Sequence, residues 1–194
     1  ATDNGHSCTV VPILHPYSVV KEPRHKTLFE TDIRNAYEKY ILQKTHQGKL
    51  EYEVLTTEKE LEVLGEVLGN TEETLAMDIE TTGLNFLKDI IQTIAISSRE
   101  KTWVIPCDHK DSPFRKGEPH YEKLWRTLRA VLENPKSKKV FHNAKFDLKF
   151  LINYGIYTKN VWDTKIMHHL LDENMPKSLM DLVKLYFPTE LESL

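Results

Sequence analysis

From residue 50 onward the apolar and polar positions follow two periods, near two and near 3.6 residues, that alternate along the chain. Residues 51–55 alternate like a strand. Thr57-x-x-Glu60 is a capping box that opens a helix over 58–68, with Leu61, Leu64 and Leu68 on one face and Gly69 at its close. Apolar runs predict strands over 75–80, 90–97 and 102–105, the last ended by Pro106. A loop over 107–119 carries Pro113, Gly117 and Pro119. Leu124, Leu128 and Leu132 mark a helix over about 120–133, and a short strand follows at 139–141. A helix over 144–154 has Asn143 as its N-cap and Gly155 just past its end. A short strand at 161–162 and helices over about 164–171 and 178–186 complete the pattern. Three successive strands, then strands alternating with helices, predict an α/β fold: a mixed sheet with helices on its faces.

The first 49 residues read differently. Residues 1–27, with Pro12, Pro16 and Pro23 and no period, are expected to be irregular. Ile33, Ala36, Tyr37, Tyr40 and Ile41 predict a helix over about 31–46, capped by Thr31 or Asp32 and ended by Gln47-Gly48. The expected organisation is an N-terminal arm and helix over 1–49 and a domain over 50–194.

Composition narrows the class only mildly. At 194 residues, 40% hydrophobic and 28% charged, the chain is long enough for a substantial core. A net charge of −3 argues against a general electrostatic grip on nucleic acid but not against an acidic nuclease site. Lys136, Lys138, Lys139, Lys145 and Lys149 form the one basic cluster, a solvated surface first and a phosphate track second. Cys8 and Cys107 stand alone, which favours a reducing, intracellular compartment. No apolar run approaches the ~18 residues of a membrane span, so no membrane partner is expected. The chain begins with Ala, and any targeting segment is expected to have been removed already.

The candidate chemistry starts at Asp78 and Glu80. They stand two apart in a strand that begins with apolar residues, so both carboxylates share one face while Ile79 points to the other. Such a pair repels itself unless a cation lies between, and a hard divalent ion prefers oxygen ligands. Alone, the pair reads as a strand end reaching solvent. Asn143 and Asp147 stand four apart at the head of a later helix, on one face, beside an apolar stripe of Phe146, Phe150 and Leu151. Alone, Asp147 reads as a first-turn acid that complements the helix dipole. Cys107-x-His109 and His168-His169 lack a second half at zinc-ligand spacing, and His142 reads as packing. Trp103, Trp125 and Trp162 fall on predicted core elements.

Together, Asp78-x-Glu80 after a buried strand and His142-Asn143-x-Lys145-Phe146-Asp147 after a later one resemble the first two motifs of the DEDD 3′–5′ exonuclease superfamily. Asn153-Tyr154-Gly155-Ile156, Trp162-Asp163-Thr164 and Ser178-Leu179-Met180-Asp181-Leu182 extend the resemblance to the proofreading domain of family A DNA polymerases, over about 50–188. Residues 1–49 have no counterpart in it. The resemblance implies a ribonuclease H-like sheet with an irregular or helical N-terminal extension. It implies Asp78, Glu80 and Asp147 as catalytic residues and as ligands of two Mg²⁺ or Mn²⁺ ions, a pair that would activate water and stabilise the leaving oxygen. It also implies substrate contacts at Leu84, wedged against the terminal base, at Asn143 and at Thr82. Thr82 lies in the turn Thr81-Thr82-Gly83, where Gly83 is expected to supply a backbone shape that glycine takes easily. The implied partners are DNA with an unpaired 3′ end and a polymerase domain of the same or a longer chain. Organellar family A enzymes, those of the apicoplast among them, are the narrower likeness and imply a plastid or other organelle.

The family's fourth carboxylate, in Tyr-x-x-x-Asp on a late helix, has no match. Tyr186-x-x-x-Glu190 straddles Pro188 and comes too early, and His168-x-x-x-Asp172 is one residue short of the His-x-x-x-x-Asp form. Asp163, Asp172 and Asp181 read as structural, Asp163 as a helix cap. The chain is therefore expected to stop before its last motif and, alone, to bind the second metal weakly and hydrolyse slowly or not at all. Two other readings stand beside the proofreading nuclease: an inactive scaffold of the same fold bracing a polymerase domain, and an RNA-processing 3′–5′ exonuclease.

Overall fold

A computed structural model describes residues 10–42 and 51–187. In chain order they form helix α1 (Pro16–Lys21), a 3₁₀ turn (Pro23–His25), α2 (Lys26–Ala36) running into a π-helical turn (Tyr37–Ile41), β1 (Tyr52–Val54), α3 (Glu58–Gly69), β2 (Thr74–Thr81), β3 (Ile91–Ser97), β4 (Thr102–Pro106), α4 (Tyr121–Leu132), β5 (Lys138–Phe141), α5 (Lys145–Asn153), β6 (Val161–Asp163), α6 (Thr164–Leu171) and α7 (Leu179–Tyr186). The described residues fall into two compact units, 51–167 and 10–42 with 168–187.

The larger unit carries a six-stranded mixed sheet in the order β1-β4-β3-β2-β5-β6. β2, β3 and β4 run antiparallel as a meander, while β5 joins β2, β6 joins β5 and β1 joins β4 in parallel. β2 is therefore an interior strand, paired on both sides. Its side chains alternate: Leu75, Met77 and Ile79 are buried, while Ala76, Asp78 and Glu80 lie on the open face. Ile94, Ile96 and Ile105 of the neighbouring strands join the buried set, together with Leu61, Leu64 and Leu68 of α3 and Leu124, Leu128 and Leu132 of α4. The capping box of α3 is formed in full: Glu60 Oε2 accepts from the Thr57 amide at 2.9 Å, and Thr57 Oγ1 accepts from the Glu60 amide at 3.3 Å. Among the described residues no helix is long and apolar enough to cross a membrane.

Lys139 departs from the expected solvated lysine surface. It is fully buried on the same face of β5 as Phe141, and its ammonium donates to the carbonyls of Asn134 and, at 3.0 Å, Ser137. Burial pushes that ammonium down to about 8.

The second unit corrects the reading of the N-terminal region. The segments 16–21 and 23–25 are helical rather than irregular, and α2 starts at Lys26, five residues before the expected cap. Pro16 and Pro23 each stand in a first turn, where the missing N–H has no helical partner to lose. His15 Nδ1 accepts from the Tyr17 amide at 3.1 Å and caps α1. Thr31 and Asp32 lie inside α2 instead of at its head, and Asp32 Oδ2 accepts from the Leu14 amide at 3.1 Å. The expected helix end at Gln47-Gly48 lies outside the described residues.

Candidate active site

β2 delivers Asp78 and Glu80 to the open face of the sheet, opposite Ala95 and Thr93 of β3, which are small enough to leave the carboxylates room. The register slips between Glu80 and Thr81, and the strand ends there in a bulge. Asp147 arrives from α5. It is 4% exposed, more deeply buried than a first-turn acid that merely complements the helix dipole.

Asp147 senses Asp78, and Asp78 senses Glu80. Burial, and next its own and the Ile79 backbone amides acting in the opposite direction to the Asp78 charge, set the Asp147 carboxyl at about 7, far above the usual carboxylate range. Asp78 is also raised, by desolvation first and by the charge of Glu80 second. The side-chain charges felt by these two carboxyls are those of other acids: Glu80 at Asp78, and Asp78 and Asp163 at Asp147. The three carboxylates offer oxygen donors, the donor chemistry that Mg²⁺ or Mn²⁺ takes. They are not a closed cage: among the described residues no three His, Cys, Asp or Glu side chains are gathered at ligand spacing.

The loop after β2 is built by Asp89. Its carboxylate accepts from the Thr82 hydroxyl at 3.2 Å and from the Asn85 amide at 2.8 Å. The Thr82 hydroxyl in turn accepts from the Ile90 amide at 3.0 Å. The hydroxyl of Thr82 is therefore engaged in bracing the turn. Gly83 does not take a positive φ, so the expected backbone reason fails. The reason is space: a Cβ on Gly83 would stand 2.7 Å from Asp89 Oδ2.

This loop holds Leu84 out at 86% exposure, which rules out core packing for it. Leu84 and Phe86 form one wall of a cavity of about 240 Å³, with Asn143, Lys145, Phe146, Lys149 and Phe150 opposite. Lys149 Nζ lies 5.1 Å from the Phe86 ring centre, and Asn153 of α5 donates to the Phe86 carbonyl. The structure thus gathers Leu84 and Asn143 at one cavity, while Thr82 serves the loop beside it.

Asn143 is not the N-cap of α5. It sits at φ +69°, in the left-handed region, and Ala144 takes the cap position without a side-chain hydrogen bond. The amides of Asn143 and Ala144 instead donate to Asp163, at 3.0 and 2.8 Å. Asp163 also accepts from the Lys165 and Ile166 amides, so it caps α6 as its sequence position suggests. Asp181 accepts from Ser178 at the head of α7, and Asp172 accepts from the Asn174 amide, both structural roles as expected. His142 Nδ1 pairs with Thr164 Oγ1 at 2.9 Å. Trp162, expected in the core, is 41% exposed on the edge strand, with Lys138 Nζ 5.0 Å from its ring centre. Phe86 and Lys149 carried no motif of their own; their signal was the apolar run after Gly83 and the one-turn spacing of Lys145 and Lys149.

A sequence model of the 3′–5′ exonuclease family of DNA polymerase A type matches residues 52–193. DNA polymerase I of Aquifex aeolicus is 34% identical over 124 residues, which are 63% of this chain. The chain spans 18% of the length of that relative. Among solved structures, Escherichia coli RNase D is similar with a TM-score of 0.57 at 21% identity, over 72% of this chain and 34% of that one. The catalytic core of RRP6 from Trypanosoma brucei gives 0.57 at 24% identity over 73% and 36%, and the EXO domain of Aedes aegypti Nibbler 0.57 at 14% over 74% and 73%. These structural likenesses carry the fold, a ribonuclease H-like mixed sheet flanked by helices. The chain belongs to the 3′–5′ exonuclease family of the DNA polymerase A type, whose members are hydrolytic nucleases.

Proposed function

We propose that the chain is the proofreading part of a DNA polymerase and removes nucleotides from an unpaired DNA 3′ end by metal-dependent hydrolysis. The observation that supports this is Asp147, a buried carboxylate that feels the charge of Asp78, which in turn feels that of Glu80. In this reading Asp78, Glu80 and Asp147 hold divalent ions, Mg²⁺ or Mn²⁺. When bound, such ions make a water nucleophilic near neutral pH and stabilise the oxygen that leaves. The protein's own part is orientation. Leu84 and Phe86 present an apolar wall to a base, and Lys145 and Lys149 offer charge to its phosphates. Asn143 stands at the same cavity and can position the last nucleotides. A paired 3′ end would have to fray to reach this wall, which favours mismatched termini.

The resemblance to DNA polymerase I supports DNA as substrate and a polymerase domain as partner. Retention of the three acids favours an enzyme over an inactive scaffold. The test uses 5′-labelled oligonucleotides of one sequence as single-stranded DNA, 3′-mismatched duplex, matched duplex and RNA, with Mn²⁺ and long incubations. The expected result is stepwise shortening from the 3′ end, fastest for single-stranded and mismatched DNA. Shortening of RNA in preference to DNA would contradict the proposal and favour the RNA-processing reading.

A further inference from the structure

Three consecutive residues at the β6–α6 corner grip four consecutive residues at the β5–α5 corner. Asp163 takes the amides of Asn143 and Ala144. Thr164 Oγ1 donates to the Phe141 carbonyl at 3.1 Å and pairs with His142 Nδ1. Lys165 Nζ reaches Asn143 Oδ1 at 3.4 Å. The Phe141 carbonyl, the His142 ring, the Asn143 and Ala144 amides and the Asn143 side chain are thus all held from β6–α6. The turn needs holding, because Asn143 has a left-handed backbone that side-chain-bearing residues adopt at a cost. α5 also lacks a side-chain cap of its own. A carboxylate receiving two amides supplies what both the turn and the helix start lack.

We infer that Asp163, with Thr164 and Lys165, is a positioning bracket for the exonuclease site. It touches no reacting atom. It fixes the turn that places Asn143 at the substrate cavity and sets the start of the helix that carries Asp147 in its first turn. Capping α6 alone would require only the amides of Lys165 and Ile166. The two bonds to Asn143 and Ala144 belong to the other corner, and they are what a cap does not explain. The inference rests on the proposed function for its consequence in catalysis, though not for the bracket itself.

Asp163→Ser separates the two roles. Serine caps helices well, so it can keep the α6 amides, but it is too short to reach across to Asn143 and Ala144. The full 194-residue chain is compared with this variant by thermal melting, by amide hydrogen exchange over 141–147 and by the rate of 3′ shortening of single-stranded DNA at saturating substrate. The expected result is a melting midpoint near that of the parent and exchange at Asn143 and Ala144 faster by about tenfold or more. Turnover should fall by about tenfold or more with a smaller change in KM, since a misplaced group costs the transition state more than it costs binding. Parental exchange at both amides would overturn the bracket. Faster exchange with parental turnover would overturn its positioning role. If Asp163→Ser does not fold, Asp163→Asn takes its place: one oxygen remains for Asn143, Lys165 and Ile166, while an NH₂ faces the Ala144 amide, so Ala144 should exchange faster than Asn143. If the parent chain shortens no DNA, its activity and not the bracket is what has failed, and the exchange comparison still decides the bracket.

Discussion

Asp147 is the residue whose surroundings are least like those of an ordinary acid. Burial holds its carboxyl at about 7 against the 3.8 of a free side chain. Between those values the folded chain keeps a proton that the unfolded chain has released. The metal-free protein therefore loses stability as pH rises from about 4 to about 7, since the folded state binds more protons across that window. Asp147→Asn keeps the shape and removes the ionisation. In EDTA its melting midpoint should exceed that of the parent at pH 8 and converge with it near pH 4. Parallel midpoints across that range would contradict the assignment. The presence of Asp147 at the site was legible from its spacing to Asn143, but its depth of burial was not, because helical periodicity gives a side chain's direction and not what covers it. Lys139 teaches the same point from the other side: a run of lysines gave no sign that one of them points inward to cap two carbonyls.

At the level of elements, the loop after β2 is where one small residue decides a shape. Gly83→Ala places a methyl against the Asp89 carboxylate, which must then release the Thr82 hydroxyl or the Asn85 amide. The expected cost is about 1–2 kcal/mol in chemical denaturation. If that cost is the clash, Gly83→Ala should cost little in an Asp89→Ala background, whereas simple additivity of the two changes would refute it. Thr57→Ala should cost about 1 kcal/mol through loss of the α3 capping box, with little effect on the distant site. That capping box, the buried β2 strand and the three leucines of α3 were all readable in the sequence, since each rests on local spacing. The start of α2 was not, because Pro16 and Pro23 punctuate chains in general but are harmless in a first turn. Nor was the left-handed Asn143 readable, since what stabilises it lies twenty residues away in Asp163.

At the scale of the whole sheet, the order β1-β4-β3-β2-β5-β6 explains how Asp147 comes to lie beside β2, where it feels the Ile79 amide and the Asp78 charge. β2 is an interior strand, β5 is its parallel neighbour, and the helix that follows β5 begins beside the end of β2. The Asp89 loop carries the apolar wall, and Asp163 accepts from the amides just before the helix that carries Asp147. The central proposal is that Asp78, Glu80 and Asp147 hold the metal ions that hydrolyse a DNA 3′ end. The direct measurement is nucleotide release from a 5′-labelled single-stranded oligonucleotide with Mn²⁺, by the chain and by its Asp78→Asn, Glu80→Gln double variant, after circular dichroism shows both folded. The account predicts release from the 3′ end by the parent chain and none above background by the double variant. Equal release by the two would contradict it.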